Sequence, residues 1–452
     1  MSQEYAAFDQ SSIEPVDDEP GFSPFVPFYD DIARYTNRVR FGGGERWMMP
    51  WEFTGWRDEQ QSWSKTAYIH GGLNPTPTYR FKGPDVLAFL SFFCVNSFAS
   101  FSVGGMKHLI SVDEEGDVTS HGVAMRTAED EVWTYWMINL SFAARATAAR
   151  WDMEFTDFTG ERFLLQIAGP RSLEILEETL RKDLHDIRFF HHRDTSYQDV
   201  PLRIARLGMA GTLAYELHGD LAHSKRIFDA VFQTGKAYGM RRLGWYAYMQ
   251  QHTINGFPQA SYHLAAKLPG RDNRGNITGS AGPEATGYHN PIELGWSSSI
   301  VLDHEFVGRS ALGPLLATPK RTMVTLEWNS EDVQAVFASQ FTDEEPLAQF
   351  DLANDIAADL RSRLHQDKVL DADGAQIGLS MGRMYSVQYR RMISLSTLDV
   401  AHAAEGAEVY VLWGEHGQRQ MRLRATVARY PYADRARNND FDVESIPRLR
   451  DA

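Results

Sequence analysis

Alternation of apolar and polar residues dominates this chain, and helical periodicity is confined to a few segments. WRDEQQSWSKTAY, residues 56–68, places two tryptophans and an alanine along one stripe and predicts the first helix. GPDVLAFLSFF predicts a second helix, with Pro84 at an early helical position and Asp85 at the positive end of the helix dipole. HLISVDEEGDVTSHGVAMRT turns at EEGD and predicts a β-hairpin, and VWTYWMINLSF predicts the strand that follows.

Strands and helices then alternate through the middle of the chain. RFLLQIAGPRSLEILEETL predicts a strand, a Gly-Pro stop and a helix. DVPLRIARLGMAGTLAYELHG predicts two strands joined at a glycine-rich turn, and SKRIFDAVFQTGKAYG predicts the next helix. This order is typical of an α+β module of the split kind.

From Arg321 onward the sequence changes to short strands separated by turn signals, which predicts a β-barrel ending near residue 433. A helical insertion, EDVQAVFASQF through NDIAADLRSRLHQ, interrupts its first two strands. The chain is too long for one ordinary core. We therefore predict an N-terminal extension (1–50), an interleaved α+β core of two subdomains (51–320) and a C-terminal β-barrel domain with the insertion (321–452).

Composition narrows the class of protein further. The 452 residues carry a net charge of −15 with acids and bases mixed, which disfavours nucleic acid and anionic membranes as partners. The N-terminus lacks the pattern of a signal peptide, and the longest apolar run is broken by Ser and Asn, so we expect a cytoplasmic protein and no membrane span. The single cysteine, Cys94, is expected to be a buried core thiol. No cluster with metal-ligand spacing is visible, so we expect no metal.

The stretch GMAGTLAYELHG raises the question of ligand binding, because Glu216 falls in an otherwise apolar strand. Its glycines alone have a structural explanation, since they permit positive φ or a close backbone approach. A carboxylate in a buried strand, however, is costly unless it accepts hydrogen bonds. Such an acid suits a ligand that offers an N–H and NH2 pair, as a pteridine does.

Five motifs in one order resemble a known family: QIAGP, GMAGTLAYELHG, NPIELGW, FVGRSAL and IGLSMGRMYS. Together they are similar to the glycine-cleavage T-protein (aminomethyltransferase) family from about residue 51 to residue 432. The similarity is greatest to tetrahydrofolate-dependent aryl O-demethylases that act on vanillate-like lignin fragments. The resemblance implies a three-domain, cloverleaf-like fold around a central folate channel.

The resemblance also implies site residues. Glu216 would hold the pterin ring, with Gln166 nearby and Phe257 where a tryptophan is expected. Tyr248 falls where the O-demethylases are similar in carrying a tyrosine at the reaction centre. The substrate side would be formed by Trp51, His70, Asn74, Trp136 and Asn139.

Departures from the family pattern concern the reaction centre. His121 stands where relatives carry an aspartate, and IHGGLNPT replaces a polar Asp/Gln/His stretch. The arginine expected to bind an aryl carboxylate is absent from VWTYWMINL. Because an unpaired anion in a dry pocket is penalised by several kcal/mol, vanillate itself is not the expected substrate.

Three functions remain open at this point. We favour elimination of a hydroxymethyl group as formaldehyde from a neutral lignin-derived phenol, such as a phenylcoumaran-like dimer, without a cofactor. Tyr248, His121, His252 and Gln250 are the residue types for that acid–base work. The alternative is a tetrahydrofolate-dependent aryl O-demethylase, in which Tyr248 protonates the leaving phenolate. The third is a non-catalytic folate-binding protein. In each case we expect a small aromatic partner and a monomer or homodimer.

Overall fold

The computed structural model describes residues 22–35, 39–40, 46–209, 211–270, 272–354 and 364–448. Its α-helices are α1 (Trp56–Lys65), α2 (Val86–Phe93), α3 (Ile138–Ala146), α4 (Ser172–Leu180), α5 (Ser224–Lys236), α6 (Trp245–Ile254), α7 (Arg309–Ala317) and α8 (Ser330–Ala338). Its strands are β1 (Arg34–Tyr35), β2 (Val39–Arg40), β3 (Arg46–Trp47), β4 (Pro50–Glu52), β5 (Tyr68–His70), β6 (Thr78–Lys82), β7 (Met106–Val112), β8 (Val118–Ala128), β9 (Glu131–Tyr135), β10 (Glu154–Asp157), β11 (Arg162–Ala168), β12 (His192–Tyr197), β13 (Val200–Ala205), β14 (Ala214–Asp220), β15 (Arg241–Arg242), β16 (Ile277–Thr278), β17 (Arg321–Trp328), β18 (Leu364–Leu370), β19 (Gln376–Ser386), β20 (Arg391–Asp399), β21 (Glu408–Trp413) and β22 (Met421–Ala428).

Three large sheets organise the chain. A five-stranded antiparallel sheet has the order β10-β6-β9-β8-β7, and a six-stranded sheet has the order β12-β13-β14-β11-β5-β15. In the third sheet, β16-β18-β19-β20-β17-β22-β21, an additional pairing of β18 with β21 closes six strands into an antiparallel barrel. The α+β prediction and the C-terminal barrel are confirmed.

The six-stranded sheet separates two kinds of environment, because alternate side chains of a strand point to opposite faces. One face, which carries Ile167, Tyr215 and Leu217, packs against helices α4 and α5 in a hydrophobic core. The other face carries Tyr68, Leu164 and the alanines of β11 and β14, and packs with α6 and the β8 and β9 strands. All ten residues of α6 are buried. The site described below lies on this second face.

The prediction of a single strand through VWTYWMINLSF is wrong beyond Tyr135. Trp136 has φ 67°, its backbone N–H donates to Pro77 O, and helix α3 begins at Ile138. Met137, Leu140 and Ala144 all lie in the core beneath the five-stranded sheet, at helical spacing. Asn139 therefore lies in the first turn of a helix rather than on a strand.

The predicted domain boundaries stay a prediction, but the structure adds contacts at both ends of the chain. Phe25 and Val26 are buried in the core under the six-stranded sheet, and Ser224 Oγ donates to Phe25 O at 2.5 Å. Residues 22–35 thus pack against α5. The second predicted helix of the barrel insertion falls mostly on residues 355–363, outside the described part of the chain. Among the described residues, no helix is both long and apolar enough to cross a membrane.

Candidate active site

A cavity of about 290 Å³ lies between the six-stranded sheet, helix α6 and the β8 and β9 strands. Its wall is mainly apolar and aromatic, which suits an aromatic ligand. Among the described residues that line it there is no lysine or arginine. Six of the residues predicted from sequence lie on its wall: His121, Trp136, Gln166, Glu216, Tyr248 and Phe257.

A polar row crosses three neighbouring strands beside this cavity. In the antiparallel register Gln166 of β11 pairs with Glu216 of β14 on one side and with His70 of β5 on the other. Glu216 is only 5% exposed, so it is not a solvated strand residue. Gln166 Nε2 donates to Glu216 Oε1 at 3.5 Å, and His218 Nε2 lies 3.2 Å from Glu216 Oε2. The carboxylate therefore has few and long protein contacts, and it keeps capacity to accept hydrogen bonds from a ligand.

Gln166 is held in turn by residues behind it. The Tyr68 hydroxyl lies 2.5 Å from Gln166 Oε1 and 2.7 Å from Gln251 Oε1 of helix α6. Both partners of Tyr68 are fully buried amides. This contact places the amide oxygen of Gln166 on Tyr68 and leaves its NH2 group for Glu216. The network fixes the orientation of the row.

The glycines before Glu216 serve close packing. A Cβ on Gly211, whose φ is 61°, would come within 2.3 Å of Asn255 Oδ1 at the end of α6. A Cβ on Gly208 would come within 2.3 Å of the Ala214 Cβ. Asn255 Nδ2 also donates to Met209 O at 3.2 Å. The glycine-rich loop therefore seats the end of α6 against the strand that carries Glu216.

Tyr248 brings a phenol to the same cavity. Its ring stacks on the His70 imidazole at 4.1 Å and 9°, and its edge meets His252 at 5.1 Å. No residue among those that the structure describes forms a hydrogen bond with its hydroxyl. Burial, with a smaller contribution from the charge of Glu216, raises the pKa of Tyr248 above its ordinary value. The phenol is therefore protonated at neutral pH and can donate a hydrogen bond to a ligand.

Two histidines on the paired strands β7 and β8 form another part of the wall. His108 Nε2 lies 3.4 Å from His121 Nδ1. The rings of Phe257 and Trp296 lie 4.7 to 5.9 Å from these imidazoles. Burial lowers the pKa of His108 to about 4 and holds the pKa of His121 well below its ordinary value. Both rings are therefore neutral at physiological pH.

The other predicted site residues are not on the cavity wall. Trp51 stacks on Tyr246 at 5.1 Å, and Asn74 is engaged with Gly71 O and with both backbone groups of Leu164. Both side chains have structural partners, and their substrate contacts stay a prediction. His70 bonds Leu243 O through Nδ1 and supports Tyr248 from behind.

The remaining three predicted site residues, Gln250, His252 and Asn139, lie in different environments. Gln250 is buried and accepts a hydrogen bond from Gln60 Nε2 at 2.7 Å, on the side of α6 that faces α1. His252 is fully buried, and burial lowers its pKa to about 3, so it is a neutral ring behind Tyr248. Asn139 lies on α3 and is half-buried. Placing Gln250 and His252 among the reacting groups is not supported by these positions.

Sequence reasoning missed His108, Tyr68 and Gln251. His108 lies at the start of the predicted hairpin, two residues before Ile110, which pairs with His121. The position of the EEGD turn predicts this strand register. Tyr68 and Gln251 carry no signal of their own, because their role arises from contacts across the sheet and helix α6.

One group of possible metal ligands occurs away from the cavity. Glu177, Asp183 and His185 bring three ligand atoms within 4.8 Å of one another. Their atoms are already engaged, since His185 bonds Glu177 at 2.8 Å and the Ile446 carbonyl at 3.1 Å, and Glu177 also accepts from Leu184 N. This cluster ties the C-terminal segment to helix α4 and lies apart from the candidate site.

The buried histidines predict a loss of stability in mild acid. The pKa values of His70 and His108 fall to about 4 and that of His252 to about 3, so the unfolded chain binds more protons below pH 6.5. The free energy of unfolding therefore keeps its full value above pH 6.5 and falls as the pH approaches 4. The loss is about 2 kcal/mol per histidine at pH 5. Urea denaturation at pH 7.5, 6 and 5 measures this loss.

Two substitutions separate that cause from general acid sensitivity. His252→Gln should reduce the loss between pH 7.5 and pH 5, while the same change at the exposed His416 serves as the control. An unfolding free energy that is constant from pH 7.5 to 5 would contradict the assignment of neutral buried rings.

Comparison with known proteins identifies the family. The model of the GCVT N-terminal domain matches residues 33–262. The chain is similar to the sesamin methylene transferase of Sinomonas sp. (strain No.22), with 39% identity over 88% of this chain and 94% of that protein. It is similar to the syringate O-demethylase of Sphingobium sp., with 28% identity over 87% and 92%.

The fold agrees with these matches. The crystal structure of glycine cleavage system aminomethyltransferase T from Bartonella henselae aligns with a TM-score of 0.67 and 15% identity, over 89% of this chain and 95% of that one. Aminomethyltransferases of Thermotoga are 22% identical over 65% of this chain and 75% of the relative. The resemblance read from the five motifs is confirmed: this chain belongs to the aminomethyltransferase (glycine-cleavage T-protein) family of enzymes.

Proposed function

We propose that this protein transfers a one-carbon group, bound to oxygen on a neutral aromatic compound, to a reduced folate. The observation that carries the proposal is the shared wall of one cavity: Glu216 and Gln166 stand on the sheet, and the free hydroxyl of Tyr248 stands on helix α6. A polar anchor and a proton donor thus face a single aromatic-lined space. The proposal favours the folate-dependent alternative over formaldehyde elimination.

The residues present fit a reduced folate. The pterin ring offers adjacent N–H and NH2 donors. Glu216 is a buried carboxylate, and its two protein contacts are long, at 3.5 Å to Gln166 and 3.2 Å to His218. Two donors from a ligand would compensate the cost of burying that charge. Gln166, held by Tyr68, adds an oriented amide beside it. A bound tetrahydrofolate supplies the amine nitrogen that accepts the carbon.

The protein residues then act on the aromatic compound. When the bond between carbon and aryl oxygen breaks, that oxygen must gain a proton, and Tyr248 is placed to donate a hydrogen bond to it. The His70 ring, stacked at 4.1 Å, holds the phenol in one orientation. Trp136, Leu73 and Leu164 line the cavity and exclude water from the reacting atoms.

The charge of the cavity supports a neutral substrate. The described lining contains no lysine or arginine, and His108 and His121 are neutral because burial lowers their pKa values. A carboxylate on the aromatic ring would have no cation to pair with. The relatives' names support the chemical class: one is a methylene transferase and another an O-demethylase.

The elimination hypothesis is less well supported. It requires a base and an acid around a hydroxymethyl arm, and of the four residues assigned to that work Tyr248 and His121 lie on the cavity wall while His252 and Gln250 do not. It also leaves the buried Glu216 with only its long contacts to Gln166 and His218. A folate-binding protein without activity would keep Glu216 but would have no use for the free hydroxyl of Tyr248.

A matched pair of substrates tests the proposal. Guaiacol and vanillate differ by one carboxylate, and each is incubated with purified enzyme with and without tetrahydrofolate under anaerobic conditions. We expect guaiacol to be demethylated only when tetrahydrofolate is present. We expect kcat/KM for vanillate to be lower by about 100-fold, because its carboxylate is buried without a partner. Consumption of guaiacol without folate, or equal turnover of both compounds, would contradict the proposal.

A further inference from the structure

The His108–His121 pair presents a donor that the reaction described so far does not use. His121 is 7% exposed and lines the cavity, and its Nε2 is buried without a hydrogen-bond partner among the described residues. Its Nδ1 lies 3.4 Å from His108 Nε2. The rings of Phe257 and Trp296 flank both imidazoles, and His108 is half-buried.

The contact between the two rings determines which nitrogen of His121 carries its proton. Each neutral imidazole has one N–H and one acceptor nitrogen. If His108 donates from Nε2, both rings keep their hydrogen on Nε2, which is the tautomer that a free neutral imidazole prefers. If His121 donates from Nδ1, both rings must take the less stable tautomer. The first arrangement is therefore favoured, and it leaves an N–H on His121 Nε2.

We propose that His121 is a second hydrogen-bond donor to a substrate oxygen in this site, and that His108 positions it by donating a hydrogen bond from Nε2 to His121 Nδ1. Among the described residues of the cavity wall, two buried donors then lack a hydrogen-bond partner, the Tyr248 hydroxyl and the His121 N–H. Two donors match two neighbouring oxygens on one aromatic ring. This inference rests on the proposed function, and it specifies ethers of catechol type over aromatic compounds with a single oxygen.

Guaiacol and anisole form the test pair, because they carry the same methyl ether and differ by the neighbouring hydroxyl. We expect the wild-type enzyme with tetrahydrofolate to prefer guaiacol in kcat/KM by about tenfold, the value of one hydrogen bond to a buried donor. His121→Leu removes the donor and should bring the ratio of the two kcat/KM values close to one.

His108 is tested by a conservative pair of variants. His108→Gln keeps an N–H donor near the position of Nε2 and should retain the preference, whereas His108→Leu should lose it as His121→Leu does. A purely structural role of His108 would lower turnover of both substrates and leave their ratio unchanged. Persistence of the preference in His121→Leu, or its loss in His108→Gln, would overturn the inference. Failure of the proposed function looks different, because neither substrate would then transfer its carbon to folate.

Discussion

Tyr248→Phe is expected to lower kcat by roughly 100- to 10,000-fold while the enzyme still binds the aromatic compound and tetrahydrofolate. The ring of Tyr248 remains stacked on His70, so the cavity keeps its shape and loses only the hydroxyl. Without that hydroxyl the aryl oxygen leaves as an unprotonated phenolate in a site that has no cation on its described wall. Single-turnover kinetics with guaiacol, together with ligand titration by calorimetry, separate the chemical step from binding.

Tyr246→Phe is the matched control for this experiment. Tyr246 lies two residues earlier on the same helix, is buried, stacks on Trp51 and bonds Asp351, away from the cavity wall. Its variant loses a hydrogen bond and some stability, and we expect kcat to change by less than about threefold. Equal kinetic defects in the two variants, or full activity of Tyr248→Phe, would contradict a role of the Tyr248 hydroxyl in the reaction.

Glu216→Gln is expected to weaken tetrahydrofolate binding by roughly 30- to 150-fold, because hydrogen bonds to a charged group contribute about 2–3 kcal/mol. The side chain keeps its size, but its NH2 group opposes the N–H donors of a pterin. Calorimetric titration with tetrahydrofolate measures the change in Kd. The KM for the aromatic substrate should stay within about threefold, since that compound binds toward Tyr248 and His121.

Glu59→Gln controls for the loss of a buried carboxylate as such. Glu59 lies on α1 and accepts hydrogen bonds from the backbone N–H groups of Phe53, Thr54 and Gly244 at 2.6 to 3.0 Å. It lies off the described cavity wall, so its variant should be less stable but should bind tetrahydrofolate with unchanged Kd. If both glutamate variants bind folate as the wild type does, Glu216 is not the pterin anchor.

Local pattern predicted most of the framework. Strands such as β11 and β14, the EEGD hairpin and the C-terminal barrel follow from alternation and turn residues, and the structure confirms them. Helix α3 was missed because its first turn continues an apolar, β-prone run. The break depends on the positive φ of Trp136, which propensity does not predict.

The site was only partly predictable for a different reason. Glu216, Gln166 and Tyr248 are in motifs that resemble a family, so they could be named from sequence. The contacts of Trp51, Asn74 and Gln250 could not be predicted from sequence, because the partners of a polar or aromatic side chain are set by the fold. The pairing of His108 with His121 depends on strand register and on the rings that surround it.

The destination of the transferred carbon distinguishes folate-dependent transfer from elimination as formaldehyde. Guaiacol labelled with ¹³C in its methyl group is incubated anaerobically with the enzyme and tetrahydrofolate, and the products are followed by NMR. We expect the label to appear on tetrahydrofolate as a methyl group, in equal amount to the catechol formed, and we expect no release of free labelled formaldehyde. Labelled formaldehyde as the product, or label release without folate, would contradict this expectation.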